Sequence, residues 1–118
     1  MNLKFSAKST SYQEALGGDI VQIGFEEDPD DDPINPRSKS ICASINYECS
    51  PCELVFEWMN GSKFEGGLKA RDYSISEKRF SVTLEGGMVI DIEHSADAET
   101  YHRISTFLLR EAGPPKNA

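Results

Sequence analysis

Apolar and polar residues alternate in several segments of this chain, separated by turn-forming residues, a polar stretch or a run of charge. Leu3, Phe5 and Ala7 take one side of the first segment and Lys4, Ser6 and Lys8 the other, the period of a half-buried strand. A polar stretch follows to Gly17-Gly18-Asp19, a turn signal, after which Ile20, Val21, Ile23 and Phe25 form a second β-rich run. Ile41, Ala43, Ile45 and Tyr47 then alternate with Cys42, Ser44 and Asn46. Beyond the turn Cys49-Ser50-Pro51-Cys52, the side chains of Leu54, Phe56 and Trp58 share a face. Asn60-Gly61 tolerates the positive φ of a type I′ turn and predicts a hairpin. The returning run, Lys63-Phe64-Glu65 to Leu68 and Ala70, crosses Gly66-Gly67, which predicts a bulge or bend. Tyr73 and Ile75 extend it. Phe80, Val82 and Leu84 flank Gly86-Gly87 with Met88, Ile90 and Ile92, a second hairpin.

The period changes after Ser95. Tyr101, Ile104, Phe107 and Leu108 recur at helical spacing, Asp97 is a suitable N-cap, and Gly113-Pro114-Pro115 is a stop signal. The predicted fold is α+β: a mostly antiparallel β-sheet of about six or seven strands with one C-terminal helix packed on it. Connections too short for helical crossovers favour antiparallel pairing. At 118 residues the chain suits one core, so residues 1–113 are expected to form a single domain and 114–118 a flexible tail.

Charge adds the most prominent feature. Glu26, Glu27, Asp28, Asp30, Asp31 and Asp32 fall in one stretch that also contains Pro29 and Pro33, so like charges and prolines together predict a solvated loop after the second strand. These six residues are the expected partner-binding site. The net charge of -8 disfavours phosphate backbones and anionic membranes, both of which would be repelled at long range. The charged N-terminus lacks the apolar core of a secretory signal, and no stretch is apolar enough to span a bilayer. Three cysteines, Cys42, Cys49 and Cys52, are an odd number that does not suit a disulfide framework. A soluble, cytoplasmic protein with reduced thiols is the expectation.

Catalytic and metal chemistry find little support. Cys49-x-x-Cys52 lies between strands, without the helix dipole that activates such a pair, and no second CxxC or closely spaced His pair completes a zinc site with Cys42, His94 or His102. Asp28, Asp30 and Asp32 match the first half of an EF-hand loop. Pro33, however, stands where that loop needs glycine, and Lys39 where it needs the bidentate glutamate. His94 ends a strand and His102 sits in the helix, neither beside a recognisable nucleophile. Glu53, Glu57 and Glu65 read as outward-facing solvation, and Trp58 as core beside Leu54 and Phe56. No enzyme activity, cofactor or metal is expected.

The short acidic chain, the hairpin Leu54-Val55-Phe56-Glu57-Trp58-Met59-Asn60-Gly61, the following Phe64-Glu65-Gly66-Gly67-Leu68 and the paired strands Phe80 to Leu84 and Met88 to Ile92 resemble the small immunity proteins of bacterial polymorphic toxin systems, immunity protein family 10 in particular. The resemblance covers the central two thirds of the chain. It implies a non-enzymatic inhibitor that binds one cognate toxin, a basic and nuclease-like one given the acidic surface. A small-ligand or metal-binding domain is the alternative, and a subunit that pairs sheets with itself is a third reading. A deep aromatic-lined pocket would favour the alternative, and a flat acidic surface the inhibitor.

Overall fold

The computed structural model describes residues 2–30, 32, 34 and 37–116. Among them are nine strands: β1 Asn2–Ser6, β2 Ser9–Ala15, β3 Ile20–Glu26, β4 Lys39–Asn46, β5 Val55–Asn60, β6 Phe64–Leu68, β7 Ala70–Ile75, β8 Arg79–Leu84 and β9 Val89–Glu93. A helix, α1, follows at Ala98–Ala112. The fold is α+β, as the alternation predicts. The strands divide, however, into a four-stranded sheet ordered β1-β9-β8-β7 and a five-stranded sheet ordered β2-β3-β4-β5-β6, rather than one sheet of six or seven.

Chain continuity ties the two sheets together. β1 and β2 are separated only by Ala7 and Lys8, whose N–H groups donate to Glu93 O and Glu26 O, one in each sheet. β6 and β7 are separated only by Lys69. Each of these two segments thus leaves one sheet and enters the other, the way sandwich corners are built. β1 pairs in parallel with β9, Leu3 opposite Ile90 and Phe5 opposite Ile92, while every other pairing is antiparallel.

Alternation decides what fills the space between the sheets. Val21, Ile23 and Phe25 of β3, Ile41, Ala43 and Ile45 of β4, and Phe56 and Trp58 of β5 face Leu3, Phe5, Tyr73, Phe80, Val82, Leu84, Ile90 and Ile92 in one continuous core. Phe25 stacks on Phe80 across it, with ring centroids 5.0 Å apart and planes 6° from parallel. The Trp58 indole is in the core as expected, and its Nε1 has no hydrogen-bond partner there.

The helix begins where expected. Asp97 accepts the Thr100 N–H at 2.7 Å, and Gly113, just past the last turn, has φ +83°. Its buried stripe of Ile104, Phe107 and Leu108 lies against β2 and β7, an edge strand from each sheet, with Phe107 edge-on to Tyr12. The C-terminal end is pinned by three further bonds. Tyr47 OH donates to Glu111 Oε1 at 2.7 Å, Tyr73 OH donates to Gly113 O, and the Lys116 N–H donates to Tyr73 O. Asn117 and Ala118, at the end of the expected tail, lie outside the described residues.

In the β5–β6 hairpin the turn departs from expectation and the bulge follows it. Asn60 closes β5, bonded through its N–H to Lys63 O, so the two central residues are Gly61 and Ser62. Gly61 has φ +101° at the first of these, the position a type II′ turn reserves for glycine, in place of a type I′ turn on Asn60-Gly61. The Asn60 side chain instead accepts the Ser62 and Lys63 N–H groups. Gly66-Gly67 forms the expected bulge, since Phe56 opposes Leu68 while Glu57 opposes Gly66.

Candidate functional site: an acidic trough on the five-stranded sheet

On the outer face of β2, β3 and β4, Ser11 opposes Gly24, which opposes Cys42, and Gln13 opposes Gln22, which opposes Ser44; the next row, Ser9, Glu26 and Ser40, carries a carboxylate. Gly24 forms part of a low floor, because a Cβ there would come within 3.1 Å of Ser11 Oγ. On this face lies an open trough of about 380 Å³, which Met59 and Phe64 border on the β5–β6 side. Glu26, Asp28, Pro29 and Asp32 of the β3–β4 loop complete its lining.

Five of the six expected carboxylates can therefore be placed, and Asp31 lies outside the described residues. Glu26 is the last residue of β3, its backbone in register with Ser9 and Ser40. Glu27 is half-buried and its Oε1 accepts the Lys39 N–H at 3.0 Å, while its own N–H donates to Lys39 O at 2.9 Å. Asp28 Oδ1 accepts the Asp30 N–H, and Asp32 Oδ1 accepts the Ile34 N–H at 2.9 Å. Three of the carboxylates thus shape the loop as well as charge it, each closing a local turn of the kind Asp side chains favour or clamping the loop base.

The loop has two unlike faces. Glu27 and Asp28 share a hollow with Lys8 and Arg37, so cations face the carboxylates there. Glu26, Asp28 and Asp32 line the trough, where no lysine or arginine joins them among the described residues. Two apolar side chains stand exposed nearby: Phe64 on β6, 60% exposed, and Ile34 on the loop itself, 92% exposed. Sequence reasoning missed both, along with the Ser and Gln floor. A glycine inside an otherwise β-branched run, Gly24, was the available signal for a close approach on that face.

His94 is buried, its Nδ1 accepting the Ala96 N–H at 3.2 Å and its Nε2 lying 2.9 Å from Ser76 O, so main-chain groups occupy both ring nitrogens. His102 is exposed on α1. Burial, reinforced by the Glu57 charge, pushes the Cys42 thiol up and away from the reactive thiolate. Cys49 and Cys52 are exposed, with Cys52 Sγ donating to Cys49 O. Among the described residues, no three His, Cys, Asp or Glu side chains are grouped to hold a metal ion, and no helix is long and apolar enough to cross a membrane. Compared with protein-family models, curated proteins and solved structures, the chain matches none.

Proposed function

We propose that this chain is a non-enzymatic, cytoplasmic protein-binding module of the immunity-inhibitor kind, which neutralises a basic, nuclease-like toxin by docking the toxin's cationic surface on the acidic trough. The observation that carries this reading is the joint lining of one open trough by Glu26, at the end of β3, and Asp28 and Asp32 of the β3–β4 loop, on the outer face of the five-stranded sheet. Carboxylates held on such a support steer a basic partner into register. Exposed Phe64 and Ile34 beside them supply apolar anchors, the contacts that slow dissociation. The negative lining of the trough suits a cationic protein surface. A net charge of -8 opposes nucleic acid as the ligand. His94, with both nitrogens bonded to main chain, is poorly set to activate a nucleophile.

The test compares the wild-type chain with a variant carrying Asn or Gln at Glu26, Glu27, Asp28, Asp30, Asp31 and Asp32. Amides keep the acceptor atoms that Glu27, Asp28 and Asp32 use within the loop. A partner is recovered from the source cells with the wild-type chain, purified, and its association rate measured at low and high salt. The expected result is a basic partner whose association the variant slows by about tenfold or more at low salt, with a flattened salt dependence. Equal rates for the two chains, or an acidic partner, would overturn the reading.

A further inference from the structure

Two of the three thiols stand together at the far end of β4 from the acidic loop. β4 begins at Lys39, where that loop ends, and stops at Asn46; the turn that follows carries Cys49 and Cys52, both exposed. The strands on either side are paired antiparallel, with Ser44 opposite Val55, so the two ends of the turn are held next to each other. Within it the Cys49 N–H donates to Asn46 O, and the chain bends at Cys49, Ser50 and Pro51.

Cys52 Sγ is turned back onto this bend, 2.6 Å from Cys49 O and 3.4 Å from Tyr47 O. The sulfur of one cysteine thus already touches the main chain of the other. A disulfide needs Cα atoms about 4.4–6.8 Å apart, and the first and last residues of a four-residue turn lie within about 7 Å. Cys42 does not compete for either partner. It lies inside β4, and the strand from Cys42 to Asn46 rises roughly 13 Å. The helix end that reaches the turn, through Tyr47 OH and Glu111, is the C-terminus of α1, which disfavours a thiolate. The pair is therefore suited to being oxidised by thiol–disulfide exchange rather than to catalysing it.

We propose that Cys49 and Cys52 are a reversible redox-modification site, closed to an intramolecular disulfide by a low-molecular-weight disulfide such as glutathione disulfide. Cys49 reacts first, because the Cys52 S–H is engaged by two carbonyls. Its thiolate attacks one sulfur of glutathione disulfide, a Cys49–glutathione bond forms, and one glutathione leaves as the thiolate. Cys52 then gives up its proton, attacks the Cys49 sulfur and expels the second glutathione. Two protein thiols are oxidised, one disulfide is reduced to two thiols, and the two cysteine protons end on the departing thiolates. Closure wins over a lasting adduct because Cys52 is present to Cys49 at an effective concentration in the millimolar range or above.

The fully reduced chain, incubated with glutathione disulfide and quenched in acid, tests this by intact mass and peptide mapping. The expected product is a monomer lighter by two hydrogens, with Cys49 linked to Cys52 and Cys42 still open to alkylation. The closed form should exceed the glutathione adduct by about tenfold or more, and dithiothreitol should reopen it. Cys42→Ser should behave as the wild type, whereas Cys49→Ser and Cys52→Ser should each stop at the adduct. Unchanged thiols, a persistent adduct on the wild type, or a disulfide that includes Cys42 or joins two chains would overturn the proposal. None of these outcomes bears on the acidic trough, which the other end of β4 supports.

Discussion

Glu27 and Lys39 bond to each other twice: the Lys39 N–H donates to the Glu27 carboxylate, and the Glu27 N–H donates to Lys39 O. The acidic loop therefore starts and ends at one clamp, which fixes the direction in which its charges leave the sheet.

Cutting that clamp should loosen the loop and weaken the fold. Glu27→Ala leaves the half-buried Lys39 N–H without its acceptor, a loss of about 1–3 kcal/mol. Glu27→Gln keeps an acceptor and should recover most of it. Urea unfolding of the three proteins checks this, and amide exchange at Lys39 should quicken in the alanine variant alone. Equal midpoints for all three would show that the clamp contributes nothing.

Gly66 and Gly67 share one bulge for different reasons. A Cβ on Gly66 would lie 2.5 Å from Glu57 Cγ and 2.8 Å from its Cα, a collision with backbone that no rotamer relieves. A Cβ on Gly67 meets nothing within 4 Å, but its φ of +86° is strained for any other residue. Gly67→Ala should thus cost about 1–2 kcal/mol. Gly66→Ala should cost more, about 1–3 kcal/mol for the overpacking, with loss of the β5–β6 register on top. Denaturation of the paired variants, with exchange of the β6 amides, tests the order; a Gly66→Ala protein as stable as Gly67→Ala would show that Glu57 does not press on this strand.

Acid should act on the start of α1. Hydrogen bonds from Thr100, its backbone N–H first among them, hold the Asp97 carboxyl below its ordinary range. A carboxyl depressed in the folded state contributes stability that is complete above its unfolded pKa and disappears as pH falls through the folded one. Asp97→Asn retains a good N-cap but does not titrate. At neutral pH the wild type should melt higher, since a negative charge favours the helix N-terminus. The two melting curves should converge between about pH 5 and pH 2. A difference in Tm that stays constant over that interval would mean that Asp97 caps without its charge mattering.

Much of the fold was legible because strands with one buried face announce themselves by period two, as in Ile41 to Ile45 and Phe80 to Leu84. The helix was legible from Asp97, its apolar spacing and Gly113. β2 was not. Its run Ser9 to Ala15 lies at a sheet edge with no buried residue, and Tyr12 is its one side chain packed against the core, so no alternation marks it. Division into two sheets was equally hidden, because it depends on where Ala7-Lys8 and Lys69 let the chain change partners, and neither site carries a turn residue. At the candidate site the loop and its charges were visible in the sequence. The clamp at Lys39, the floor at Gly24 and the exposed Phe64 arise from pairing between distant segments, which local pattern does not encode.

The parallel pairing of β1 with β9 carries a consequence for how the molecule is made. Leu3 finds its neighbour Ile90 only after nearly all the other strands have been synthesised. A contact that closes so long a loop forms late and slowly. On the ribosome, Leu3 and Phe5 therefore emerge first among the described core residues, while the strand that pairs with their backbone is the last to be made.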